Sequence, residues 1–167
     1  MPCVVADTSP LFYLAKLGCF TLLRDLFEKV NVPGKVWRET LAATHKHPET
    51  LRHFDAAKSD GWLVVRELQT TLVLTELGSL DAGEREAITL AHELHADLLI
   101  VDDEAGRNVA TNMGFAVTGT LGVLISAKQH GLLSALRPAI NRLCGETTFR
   151  ISSAVIDDAL RRAGEAP

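Results

Sequence analysis

The sequence predicts an α/β fold, a three-layer α/β/α arrangement whose central parallel sheet has about four or five strands. Three observations predict it. Short apolar runs rich in β-branched residues alternate along the chain with segments of helical period, an order that implies right-handed crossovers and helices on both faces of a parallel sheet. The run Leu98 to Val101 is wholly apolar, as expected of a strand covered on both sides. The 167 residues, 47% hydrophobic and 23% charged, suit one globular domain with a sizeable core. Residues 132–167 read as a helical extension of that single domain.

Each element has a local reason. Cys3 to Ala6 is a short β-rich run that ends at Asp7. Ser9 followed by Pro10 has the form of an N-cap with proline in the first turn. The helix that follows turns Leu11, Leu14, Ala15 and Leu17 inward and stops at Gly18. A second helix spans about Phe20 to Phe27. Val30 to Val32 is a brief strand closed by Pro33-Gly34, and a helix starts near Lys35 with Val36, Trp37 and Leu41 inward. His45 to Pro48 breaks that helix. Glu49 to Ser59 is a mostly polar helix, and Trp62 to Val65 a strand.

Gln69 to Ser79 has no legible period. Asp81 to His95 is strongly amphipathic, with Ala87, Ile88, Ala91 and Leu94 on one face. Asp102 ends the Leu98–Val101 strand, and a helix follows to Met113, with Gly114 just past its end. Phe115 to Val117 is the last clear strand, and a helix from about Leu121 to Gln129 ends at Gly131. Two more helices flank a short segment at Phe149 to Ile151.

Composition excludes some functions. A net charge of −4 argues against a general polyanion binder, whose affinity comes from Lys and Arg on phosphates. It does not exclude a nuclease, because carboxylates that bind a divalent cation make the metal-free chain look acidic. Cys3, Cys19 and Cys144 are an odd set without metal-ligand spacing, expected to be reduced thiols of a cytoplasmic protein. No apolar run approaches the ~20 residues that span a bilayer, and no basic region precedes an apolar stretch at Met1. Neither a membrane partner nor a secretory leader is expected.

In parallel sheets ligands bind beyond the carboxyl ends of the strands. Four segments place a carboxylate just after a strand or early in the next helix: Asp7, Glu39, Glu84 and the pair Asp102-Asp103. Each has a structural reading beside the chemical one. Asp7 caps a helix as readily as it serves chemistry, and Glu39 alone is a surface residue one turn into a helix. Asp81 and Glu84 have capping-box spacing. Either Asp103 caps its helix while Asp102 faces the crevice, or the two exchange roles. Convergence is what distinguishes them, since clustered carboxylates repel unless a cation neutralises them. Oxygen-only ligands point to Mg²⁺ or Mn²⁺ rather than zinc.

These residues carry a resemblance. Val4-Val5-Ala6-Asp7-Thr8-Ser9-Pro10-Leu11 resembles the opening of PIN domains, an apolar strand ending in Asp-Thr-Ser or Asp-Ser-Ser. Val32-Pro33 with Val36-Trp37-Arg38-Glu39-Thr40-Leu41 is similar to the family's second motif. Leu80 to Ile88 is similar to the third and Ala96 to Asp103 to the fourth. Val117-Thr118-Gly119-Thr120-Leu121-Gly122-Val123-Leu124 is similar to a signature of one PIN-like branch in bacteria and archaea. Five such motifs in order are fairly specific, although each alone is weak. The chain departs from the pattern at Glu84, where Asp is common, and at the Asp102-Asp103 pair, of which Asp102 is the closer match.

The resemblance implies a metal-dependent endoribonuclease that hydrolyses RNA phosphodiesters. Asp7, Glu84 and Asp102 would be metal ligands, with Glu39 a ligand or an orienter of the attacking water. Thr8, Ser9 and Asp103 would be auxiliary. Kinship with VapC-like proteins further implies the toxin of a toxin–antitoxin pair, an antitoxin partner and a homodimer. The alternatives are a PIN-like nucleic-acid-binding or regulatory protein with weak or no catalysis, and a DNA nuclease of the same fold.

Other signals point elsewhere and fail. Leu99 to Glu104 is similar to the acidic pocket of a phosphorylation receiver, but no Asp lies between Glu104 and Arg150 to accept a phosphoryl group. His45 and His47, and His92 and His95, lack a third ligand. Trp37 and Trp62 are expected to pack, and Arg38, Arg107 and Lys128 to be solvated.

Overall fold

A computed structural model describes residues 1–71 and 75–167. Five parallel strands form one sheet: β1 (Val4–Ala6), β2 (Val30–Pro33), β3 (Leu63–Arg66), β4 (Leu98–Ile100) and β5 (Val117–Thr118), in the order β3-β2-β1-β4-β5. The helices are α1 (Thr8–Lys16), α2 (Leu22–Phe27), α3 (Gly34–Thr44), α4 (Pro48–Ser59), α5 (Ala82–Glu93), α6 (Glu104–Asn112), α7 (Thr120–Gln129), α8 (Leu136–Glu146) and α9 (Ser153–Arg162). A 3₁₀ turn at Thr75–Ser79 falls in the stretch without legible period, and residues 72–74 of that stretch lie outside the described residues. The architecture is the expected three-layer α/β/α fold.

β1 is central because it is apolar on both faces: Val4, Val5 and Ala6 are completely buried. From β1 the chain steps outward to β2 and β3, then returns to place β4 on the other side of β1. Val4, Val5 and Ala6 pair with Leu98, Leu99 and Ile100, and the Asp7 N–H donates to the Ile100 carbonyl at 2.9 Å. The strand order therefore reverses between β1 and β4, and a crevice opens at such a switch point beyond the strands' carboxyl ends. α5 packs across β2, β1 and β4, while α7 packs against α1, α2, α8 and α9. The aromatic core unites Phe20, Phe54, Trp37 and Trp62, so both tryptophans pack as expected.

Two local expectations are corrected. Asp7, not Ser9, occupies the N-cap position of α1, with extended backbone (φ −90°, ψ 173°), and its side chain makes no capping bond. Ser9 lies in the first turn. Phe115 does not begin β5; its N–H donates to the Ala110 carbonyl at 3.1 Å and closes the end of α6, with Gly114 at φ 90°. Helix termination thus takes Phe115, while the Ala116 carbonyl already accepts the Leu99 N–H of β4 at 2.9 Å and the strand proper starts at Val117. Among the described residues, no helix is long and apolar enough to cross a membrane.

Candidate metal centre

Gly83 locates the site. A Cβ placed on it would overlap Glu39 Oε2 and lie 3.4 Å from both Asp7 Oδ1 and Asp81 Oδ1. Carboxylates from the end of β1, from α3 and from the N-cap of α5 thus crowd one point that only glycine leaves open. Thr8 links two of these elements: its hydroxyl donates to Glu39 Oε2 at 3.1 Å. Lys35 Nζ stands 3.6 Å from the other Glu39 oxygen, and that pair is about one-third exposed. Ser9 is half-buried beside them.

The expected capping box is present. Asp81 Oδ1 accepts from the Glu84 N–H at 2.8 Å, and Glu84 Oε2 accepts from the Asp81 N–H at 3.1 Å. The structural and chemical readings of Glu84 are therefore compatible, because capping holds the carboxylate near the first turn of α5, where the helix dipole favours negative charge. Glu84 is buried, and its stem passes close to Gly106 of α6.

The Asp102-Asp103 pair divides. Asp103 caps α6 by accepting from the Gly106 N–H at 3.1 Å. Asp102 accepts the Thr120 hydroxyl at 2.6 Å on one oxygen and the Thr120 N–H at 2.7 Å on the other. Gly119 makes that approach possible, since a Cβ there would lie 2.5 Å from Asp102 Oδ1 and 3.1 Å from Arg107 Nη1. Gly122 likewise leaves room for the Thr118 hydroxyl. The Val117–Leu124 signature is thus the device that holds Asp102.

Electrostatics separates the two aspartates further. Burial pushes the Asp7 carboxyl up to about 7; the Thr8 backbone N–H opposes this, and Asp81, Glu84 and Glu39 add to it. Glu84 is also raised, first by burial, with Asp81, Asp103 and Glu39 adding and the Asp81 N–H opposing. Asp102 is raised by burial alone, against Thr120 and Arg107. Asp7, Glu39, Asp81, Glu84 and Asp103 therefore share one negative field, and Asp102 stands beside it with its own partners.

The sequence pointed to Asp7, Glu39, Glu84 and Asp102 as the site acids, with Asp103 auxiliary and Asp81 only a cap; the structure sets Asp103 nearer Glu84 and gives Asp102 to Thr120. Sequence reasoning assigned Gly83 and Thr120 no role of their own, although both lie inside motifs it singled out. The donor chemistry suits a hard divalent cation, being oxygen only. Among the described residues, no three acidic, histidine or cysteine side chains already stand in a ligating arrangement.

Comparisons with known proteins agree with this architecture. A sequence model of the PIN domain family matches residues 3–165. The fold is similar to that of a PilT N-terminus domain protein from the hyperthermophilic archaeon Sulfolobus solfataricus P2, with a TM-score of 0.54 and 22% identity, covering 74% of this chain and 92% of that one. No curated protein matches the chain.

Proposed function

The chain belongs to the PIN-domain family, and on that premise we propose that it is an Mg²⁺- or Mn²⁺-dependent endoribonuclease working at the carboxylate cluster around Gly83. The observation that carries the reading is the Asp7 carboxylate. It is buried at the end of the central strand and surrounded by the charges of Asp81, Glu84 and Glu39, with no cationic side chain among the influences on it. Proteins keep such a group where a cation offsets the repulsion.

Asp7, Glu84 and Asp103 would hold the ion. Asp102, the ligand favoured by motif position, would join them through the lone pair each oxygen keeps beside its Thr120 bond, and Thr120 would orient it as it braces the β4–α6 turn. When bound, a divalent ion would supply Lewis acidity toward the phosphodiester and lower the pKa of water. Glu39, steadied by the Thr8 hydroxyl and partly open to solvent, would orient a water and take its proton. Asp81 and Asp103 each use one oxygen on a helix cap, and among the described residues the other oxygen of each makes no hydrogen bond. A toxin role with an antitoxin partner, and association into a homodimer, belong to the same proposal.

The test is cleavage of single-stranded RNA by wild type and Asp7→Asn, with Mg²⁺, with Mn²⁺ and with EDTA. Cleavage that needs metal and is abolished in the variant supports the reading; equal cleavage by both preparations overturns it. Single-stranded DNA offered in competition decides between RNA and DNA. The absence of ready-made three-ligand geometry among the described residues favours, as second reading, a PIN-like binding or regulatory protein with weak catalysis. Calorimetric titration with Mn²⁺ separates the two, because a competent site binds with a stoichiometry that collapses in Asp7→Asn.

A further inference from the structure

Asp102 and Asp103 are consecutive, yet they serve different neighbourhoods. Asp103 lies in the field of Glu84, whereas Asp102 lines a cavity of about 340 Å³ formed by α6, β5, α7, residues 149–151 and α9. The charged groups lining that cavity are Asp102, Arg107, Arg150 and Arg162, three cations against one carboxylate in a chain of net charge −4. Each Asp102 oxygen accepts one hydrogen bond from Thr120.

The guanidinium groups are held so that their charge stays available. Arg150 Nη1 donates to the carbonyls of Cys144 (3.0 Å), Thr147 (2.9 Å) and Phe149 (2.7 Å). Neutral acceptors fix the group without cancelling its charge, and among the described residues its other nitrogens make no hydrogen bond. Arg162 faces Asp158 at 3.9 Å with both side chains about 60% exposed, a pair screened by solvent. Beside these arginines the wall is apolar, and it includes Val155, a large hydrophobic side chain that is 44% exposed.

We propose that this cavity is a subsite for one nucleotide of single-stranded RNA, its phosphate held by Arg150 and Arg162 and its base laid against the Val155 wall. The proposal rests on the ribonuclease reading and adds the path of the strand, which passes from the carboxylate cluster over the Asp102-Asp103 turn into the cavity. Charge and size both favour this occupant. Arginine forks match phosphate oxygens. The volume is near the lower end of the ~300–1,000 Å³ typical of small-molecule sites, enough for an unstacked nucleotide and too small for a duplex.

The experiment uses the whole chain and a fluorescein-labelled single-stranded RNA decamer in EDTA, with anisotropy read over a salt series. Arg162→Glu, at an exposed position in the last turn of α9, is expected to weaken binding about tenfold and to flatten the slope of log K against log salt by about 0.7. Val155→Asp is expected to weaken binding without moving the melting temperature. Arg150→Gln is expected to weaken it too, with melting measured alongside because three loop carbonyls lose their donor. Unchanged affinity and salt slope in folded Arg162→Glu and Val155→Asp overturn the subsite, including the case in which the cavity receives a protein side chain instead. Cleavage assays keep the two proposals apart. A wild type that binds RNA through these residues without cutting it sinks the nuclease reading alone. A wild type that cuts RNA with a KM untouched by Arg162→Glu sinks the subsite alone.

Discussion

Replacing Asp7 with Asn should stabilise the metal-free fold while removing its chemistry, because ionising this buried carboxylate works against folding. Asp7 is 6% exposed, and burial with its acidic neighbours raises its pKa from 3.8 to about 7. At about 1.4 kcal/mol for each tenfold difference in proton affinity, that interval corresponds to roughly 4 kcal/mol. Between the two values the folded chain binds more protons than the unfolded one. The stabilisation from Asp7 is therefore fully present below pH 3.8 and is lost as pH rises through about 7. Glu84 and Asp102, also raised, act in the same direction, while Glu93, Glu146 and Glu165, all lowered, act in the opposite one. Comparing wild type with Asp7→Asn isolates the one residue. Urea unfolding in EDTA at pH 4 and pH 8 should show the variant gaining about 2–4 kcal/mol on wild type across that range, allowing for dielectric relaxation around the site. In melting temperature the gain is about 5–15 °C. Mn²⁺ at pH 8 should raise the stability of wild type and leave the variant unmoved. Parallel pH profiles for the two proteins would refute the reasoning.

Gly83→Ala brings a methyl group against Glu39 Oε2, the far end of a flexible side chain, so the fold should survive while Glu39 is displaced. Circular dichroism should be unchanged, and, on the proposed role of Glu39 in proton transfer, RNA cleavage should drop about 100-fold or more. Thr120→Val removes a buried hydroxyl from half-buried Asp102 and leaves only the backbone donor. A loss of about 1–3 kcal/mol in urea unfolding is expected, and stability equal to wild type would mean that Thr120 does not hold the turn. Glu165 supplies the missing cap of α8 by accepting the Leu136 N–H at 2.5 Å and the Arg137 N–H at 3.1 Å, since Ala135 at the N-cap has no side chain that can do so. Glu165→Ala should cost about 1 kcal/mol and increase amide exchange in α8 and α9, read by hydrogen-exchange mass spectrometry.

Much of the fold was legible because its signals are local. β1 and β4 announce themselves as apolar runs, α5 by its period and by the Asp81–Glu84 box, and Gly114 by its place past a helix end. The errors were also local and instructive. Ser9-Pro10 has the form of a helix start, yet the backbone already turns at Asp7, which leaves the Asp7 carboxylate free of capping duty. Phe115 has strand character but is claimed by the end of α6. Spacing alone could not tell Asp102 from Asp103, because consecutive residues share every periodic argument and differ only in what faces them.

By itself the sequence determined the alternation of strand and helix, the burial of the central strands and the presence of acids just beyond them, since each depends on residues close along the chain. Only the tertiary structure decided that β4 lies against β1, that Asp81 joins Asp7 and Glu39 around Gly83, and that Thr120 claims Asp102 and leaves Asp103 with Glu84. Those outcomes depend on strand order and on side chains packed from distant segments, and the free energy of such contacts exists only once the sheet has closed.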